Sequence, residues 1–529
     1  ASSADGQLTL TSDTGDITAG NIIIASKLSA SAANGDILLG GGGNQISTLG
    51  AMTAQGQIDI GSSRSLRLTG DITGATVTLS PHGAGGLSQD AGTKITAGTL
   101  NVSTNGNIVL DQANAVTTVG GLNANLLTTG HNITFRNASN ITLGGVVDAS
   151  GGTLRLTSNT GGISQNSGAG IYVLADQLFL SGASDVLLNS ASNDVATLGG
   201  ASSTNGGILY RDANGFDIAG NITATNGGAP LPTSGAGTFT QSGGIIDVDY
   251  LGVVTAGNGN SVTLNQANRI HRLIATSGSG TLSINSTSDL LIDQNVYFGT
   301  ISLSSGGSIT QSNTGSFGAT TANLSAVTGI NLPGASFVGN NGIQNLGTIT
   351  NTTSGGINIV SYSGSHTSLT GNISAAGQTV SITDVAGYIL QTGGVITADT
   401  LTMSATGGIN VGGNNQVSNL GLMSGAGLSF ANAGSFSVTQ SIDMTGVHLN
   451  LASNSGAITQ NAGTTLTADT MALNAGTTIS QGTGATLHST NLSLISGGNA
   501  SLGEANNFTT LTDLAVGGDL ALRNLGNIN

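Results

Sequence analysis

Two carboxylates two residues apart, Asp247 and Asp249 in the segment IIDVDY, are the groups of the chain that could do chemistry together. On an extended strand they share one side, and a pair of carboxylates can divide acid and base roles across a glycosidic bond. The sequence gives them few companions. Arg211 lies far along the chain, while Arg269, His271 and Arg272 sit in NRIHRL, the single concentration of basic residues, about one structural repeat later. An enzyme acting on acidic polysaccharides would therefore centre on Asp247, Asp249, Arg269 and His271. The competing interpretation is a solvated face with a local ion pair. The six histidines (His82, His131, His271, His366, His448 and His488) include no two at metal-ligand spacing on one strand. No GxSxG, HExxH or phosphate loop occurs, and the glycine run LGGGGNQIS at 39–47 lacks the aspartate of calcium-binding nonapeptides. The sequence thus assigns no catalytic, cofactor-binding or metal-binding residue, and implies no enzyme and no cofactor.

The elements that would position any site must be built from an unusual composition. Glycine supplies 86 of 529 residues, roughly twice the usual share, whereas charged residues make up 7% and aromatics 3%, with no Trp and no Cys. Aliphatic content is too high for a disordered tail, and glycine does not recur every third residue as in collagen. No apolar run is long enough for a transmembrane helix, so no membrane span is expected. Glu504 is the only glutamate, which argues against a helical protein and leaves β structure with many turns. The net charge of −15, with ten scattered basic residues from Lys27 to Arg523, offers no footprint for a phosphate backbone, so nucleic acid is not an expected partner. Absence of cysteine removes disulfides and thiolate sites, and fits bacterial export better than an animal extracellular domain. The chain opens ASSADGQLTL, without a basic segment followed by an apolar one, and closes on NLGNIN in mid-pattern. It reads as a mature product or a slice of something longer.

Internal repetition is the strongest signal. The signature Asn-x-(Ile/Val/Phe)-x-x-(Leu/Val) begins at Asn44, Asn114, Asn193, Asn268, Asn341, Asn415 and Asn506, in steps of 70, 79, 75, 73, 74 and 91 residues. A second signature places Gln after an apolar and a small polar or apolar residue, at Gln89, Gln165, Gln241, Gln311, Gln391, Gln460 and Gln481. The two interlock, one Gln per Asn interval, except the last, which holds two. That 91-residue interval returns to the normal range once a unit of 21 residues is set aside, and the segments starting at Ile458 and Ile479 align over 21 positions without a gap. Removing one strand from a meander would reverse every later strand, whereas removing a whole coil leaves a stack intact.

Period-two stretches such as TLRLTS (153–158), separated by GG, NG and SG turns, then describe coils of three short strands and three turns. The expected fold is all-β: a single-stranded parallel β-helix of about 21 residues per coil, with a superrepeat of 70–79 residues, forming one continuous array over 1–529. Twenty-two to twenty-five coils stacked at about 4.8 Å would give a rod on the order of 110 Å. Ile, Leu, Val and Ala would face in, and Ser, Thr, Asn and Asp out. The recurring Asn could present a line of ligand contacts, or serve as a corner residue that hydrogen-bonds its neighbours; the Gln series poses the same choice. Members about three coils apart cannot form a continuous amide ladder, and only Gln460 and Gln481 could stack on adjacent coils. The segment LPTSGAG at 231–237, with Pro230 and Pro232, is the candidate for a protruding loop.

Phrases such as GGISQNSGAGI, GVITADTLTMSATGGINV and GAITQNAGTTLTADTMALNAGTTISQ resemble the repeat shafts of filamentous-haemagglutinin-like exoproteins, over nearly the whole chain. The resemblance implies a right-handed coil and a non-enzymatic structural or adhesive role in attachment, cell–cell contact or biofilm matrix. It also implies export by two-partner secretion through an outer-membrane transporter to the bacterial surface, where a host or cell-surface glycan or protein would be the ligand. The Asn-Pro-Asn motifs of that family's secretion domain do not occur, so the chain corresponds to shaft; autotransporter passengers look similar. Because neither terminus resembles a polar cap, end-to-end self-association or continuation in a longer chain is expected. A polysaccharide lyase or hydrolase, or a glycan-binding module, are the alternatives.

Overall fold

A computed structural model describes residues 2–256, 259–274, 276–334 and 341–529, apart from the side chains of 2–5, 233–236 and 256. The chain is an all-β parallel solenoid with about 24 turns of roughly 21 residues, and no helix occurs among the described residues. It divides into two compact units, residues 1–270 and 271–529.

In the first unit, parallel pairing carries one aliphatic residue per coil into a column: Ile17, Ile37, Ile58, Val77, Leu100, Val119 and Leu143. All are buried. In the second unit the equivalent stack runs Ile284, Leu303, Leu324, Ile349, Ile373 and Ile396, again buried throughout. Even-sized aliphatics suit this interior because each side chain must pack against the one a single strand spacing above and below it.

The 21-residue unit is realised as one coil lying on the next. Ile458 pairs with Ile479, Gln460 with Gln481, and Thr465–Ala475 pairs with Thr486–Ser496 from end to end without a register shift. The expected three legs per coil are present, two of them here joined into one continuous strand. Ile458–Gln460 is followed by the longer Thr465–Ala475, which turns a corner while its pairing continues. Its buried and exposed positions alternate except at Asp469 and Thr470, both exposed, where the corner lies.

The segment at 231–237 is not a protruding loop. Ala229–Ala236 is a strand whose Pro230, Leu231 and Pro232 pair with Gly252, Val253 and Val254. Proline removes a donor but keeps its acceptor, and the Pro232 carbonyl receives the Asp212 backbone N–H at 3.2 Å.

Candidate functional site

The seven Asn of the first signature are all buried, between 0% and 3% exposed. Each turns its carboxamide into the wall of the solenoid. Asn415 shows the pattern: Oδ1 accepts from the Ile396 backbone N–H of the preceding coil at 2.9 Å. Its Nδ2 donates to Val411 O on its own coil and to Ala431 O on the following one, at 3.1 and 2.9 Å. Asn44, Asn114, Asn193, Asn341 and Asn506 likewise tie three successive coils. Asn268 accepts from Ile246 N–H and donates to Leu264 O. The register shifts between Val411 and Asn415, Leu110 and Asn114, and Leu502 and Asn506 show why a side chain is needed there. The strand bulges, its ladder is interrupted, and the carboxamide supplies the missing donor and acceptor.

The second signature meets the first. Gln89, Gln165, Gln241, Gln311, Gln391 and Gln481 each donate Nε2 to the Oδ1 of the next signature Asn, at 2.7–3.0 Å. Each receives that Asn's Nδ2 on its Oε1 at 3.0–3.3 Å. The two sequence series are therefore halves of one amide–amide pair. Gln481 also donates to Gln460 Oε1 at 3.0 Å, so this pair stacks on adjacent coils as expected. Sequence reasoning missed a third tier. Asn137, Asn432 and Asn524 each clip both the N–H and the C=O of one residue on the preceding coil: Val116, Val417 and Phe508. Ser62 and Ser361 do the same for Ile46 and Ile343. Their shared signal was a polar residue 17 to 23 positions after a signature Asn, with an apolar or aromatic residue two before it.

Asp212 occupies the third tier in the coil after Asn193. It is fully buried; Oδ2 accepts from Val195 N–H at 3.1 Å and from the Tyr210 hydroxyl at 2.5 Å, and Oδ1 accepts from Asn214 N–H at 2.9 Å. Burial raises its pKa to about 6, against the lowering effect of those three donors, with Asp194 adding to the rise. Burial, Asp212 and Asp194 push the Tyr210 hydroxyl well above its ordinary value, so it remains a donor.

The carboxylates singled out in the sequence lie on the outer face. Asp247 and Asp249 flank buried Val248 and point outward together. Asp247 pairs with Arg269 at 3.0 Å, with both side chains more than a third exposed. In the second unit, Arg272 reaches Asp293 at 3.4 Å. The pKa of Asp289 there is lowered by hydrogen bonds from the Ser308 backbone and hydroxyl, and by His271. Arg211 belongs to the Tyr210–Asp212 strand end, with its Nε buried. The other histidines are dispersed: His82 contacts Ser62 O, His131 contacts Thr128 Oγ1, and His366 stacks on Tyr388 with centroids 6.3 Å apart. Among the described residues, no three His, Cys, Asp or Glu side chains converge on a metal position, and no helix is long and apolar enough to cross a membrane.

Outward aromatics share one arrangement. Phe179, Tyr250, Tyr297 and Tyr388 lie across Gly199, Gly228, Gly318 and Gly407 on the neighbouring coil, where a Cβ would have no room. Phe179 also carries the Arg155 guanidinium 3.6 Å above its ring centroid.

Residues 130–202 match a family described as repeats of unknown function, DUF5649. The matched stretch has the length of one superrepeat and contains Gln165 and Asn193, one complete amide pair. No curated protein and no solved structure matches the chain.

Proposed function

We propose that the chain is a non-enzymatic structural rod of an extracellular bacterial adhesin, exported to the cell surface and making contact through its sides. The observation that supports this reading most is the use of its recurrent polar residues. All seven signature Asn are spent on holding coil to coil, with their hydrogen-bonding groups facing backbone rather than solvent. What recurs in the sequence is the scaffold. Of the paired carboxylates, Asp247 is held in an exposed ion pair with Arg269.

Assembly end to end, or continuation of the same coil in a longer chain, belongs to this reading. Negative-stain electron microscopy across a concentration series tests the proposal. Rods that join into filaments of one coil-stack width support a structural role and self-association; separate rods at every concentration support the role without association. Compact particles at every concentration would overturn it.

A further inference from the structure

The outer face of the first unit carries an open groove of about 450 Å³ beside Arg155 and Phe179, a volume typical of small-ligand sites. Two columns of the parallel sheet build it. One runs Arg155, Phe179, Gly200 on successive coils, and glycine leaves the depression. The other runs Thr157, Ser181, Ser202, Thr223, a line of hydroxyls at strand spacing. Phe179 lies across Gly199 and carries the Arg155 guanidinium carbon 3.6 Å from its ring centroid. Arg155 is exposed, and none of the hydrogen bonds or ion pairs among the described residues engages its N–H groups. A guanidinium stacked on an aromatic face keeps its in-plane donors free, in a fork that fits a planar carboxylate. At the end of the hydroxyl column before Thr157 stands a second cation, Arg136. Beyond Thr223 comes Asp247, whose charge is already met by Arg269.

We propose that this groove binds a carboxylated sugar unit of a surface polysaccharide. Arg155 takes the carboxylate, and the Ser/Thr column with Asn221 takes the ring hydroxyls. The Phe179 ring lies between the guanidinium and Gly199, and the hydroxyl column beside it matches a polyol. In a chain of net charge −15, one held cation favours a glycan with sparse single charges over a densely charged polyanion. The inference deepens the reading of a rod with adhesive sides and rests on it.

The test is isothermal titration of the full chain with a hyaluronan decasaccharide, which carries one carboxylate per disaccharide. Saturable binding is expected, weakened by Arg155→Gln at least about tenfold and by Phe179→Leu about threefold, since the charge remains but its platform is lost. Arg64→Gln, at an exposed guanidinium that meets Gln45 and Ser47, leaves binding unchanged. Absence of saturable binding overturns the site, as does an Arg155→Gln variant that binds like the parent while melting at the same temperature. Equal affinity for maltodextrin, polyglutamate or dextran sulfate overturns the assignment to a carboxylated sugar. A chain that forms rods by microscopy yet ignores the oligosaccharide overturns this site and leaves the structural role standing.

Discussion

Two corners of the solenoid, one in each unit, share the Asn–Gln pair and differ in their third tier. At the corner of Asn415, the third tier is Phe430 and Asn432; at the corner of Asn193 it is Tyr210 and Asp212. The surroundings match closely: Phe430 packs edge-on against Phe436 at 5.2 Å and 82°, and Tyr210 against Phe216 at 5.2 Å and 78°. Asn432 serves Val417 from both sides, accepting its N–H and donating to its C=O. Asp212 cannot donate when ionised; it accepts from Val195 N–H, and the hydroxyl that Tyr210 has and Phe430 lacks supplies a further donor. The corner therefore tolerates a carboxylate when an aromatic two residues earlier brings a proton to it, and the cost of burying that charge appears as a pKa of about 6.

The largest effect should come from the element the two corners share. Asn415→Leu and Asn193→Leu each leave a backbone N–H of the preceding coil and carbonyls of two further coils unpaired. At about 1–3 kcal/mol for each buried group left unsatisfied, a loss of about 4 kcal/mol is expected in either unit. Urea unfolding checks the size, and hydrogen exchange checks that protection falls mainly in the neighbouring coils, as a one-dimensional stack requires. A loss below about 1 kcal/mol at one corner would mean that the two are not built alike.

The next effect separates them. Asp212 has a folded pKa of about 6, above the ordinary 3.8. The folded state holds its proton more tightly, so this contribution to stability is full below the unfolded value and is lost as pH rises through about 6. A rise of that size corresponds to at most about 3 kcal/mol. The many exposed carboxylates also titrate on acidification, so the quantity to measure is the difference between the parent and Asp212→Asn in urea midpoint from pH 7.5 to pH 4.5. The parent should gain relative to the variant as pH falls. An unchanging difference would show that the carboxylate is not held above its ordinary range.

Exchanging the aromatic sharpens the same point. Tyr210→Phe keeps the ring packing and removes one donor to Asp212, for a loss of about 1–2 kcal/mol at pH 7.5 that shrinks at pH 5, where the carboxyl is protonated. Phe430→Tyr places a hydroxyl beside Asn432 in place of a hydrogen and also destabilises, but independently of pH. Restoring the match by combining Phe430→Tyr with Asn432→Asp should transfer the pH dependence to the second unit.

The sequence carried the coil because coils repeat. A 21-residue indel and alternating aliphatics are enough to distinguish a stack from a meander, and the columns from Ile17 to Leu143 follow from them. It also carried the positions of Gln391 and Asn415, but not that they touch. Partners 24 residues apart in sequence meet on adjacent coils beside the register shift between Val411 and Asn415. The third tier was hidden by variety: Ser62, Asn137, Asp212 and Asn432 answer one geometric demand with three residue types. Pro230 and Pro232 misled for a different reason. A strand can accept through carbonyls where it cannot donate, so prolines that read as loop signals sit within a ladder.

The smallest effect expected is at Asp247 and Asp249, and it bears on what makes Asp212 different. All three are aspartates of the first unit, but Asp247 is more than a third exposed and meets Arg269 at 3.0 Å in solvent. An exposed pair of this kind contributes little, because water already stabilises both charges and holding two long side chains together costs entropy. Asp247→Asn with Asp249→Asn should therefore change stability by no more than about 0.5 kcal/mol at any pH between 5 and 8. The same double variant should leave the chain's behaviour toward polysaccharides unaltered in a reducing-end assay. If instead it abolishes a cleavage activity of the parent, the outward carboxylates are the catalytic ones, and the face between Arg136 and Arg269 is an active-site cleft. If it changes neither, burial is what distinguishes Asp212 from the two outward aspartates.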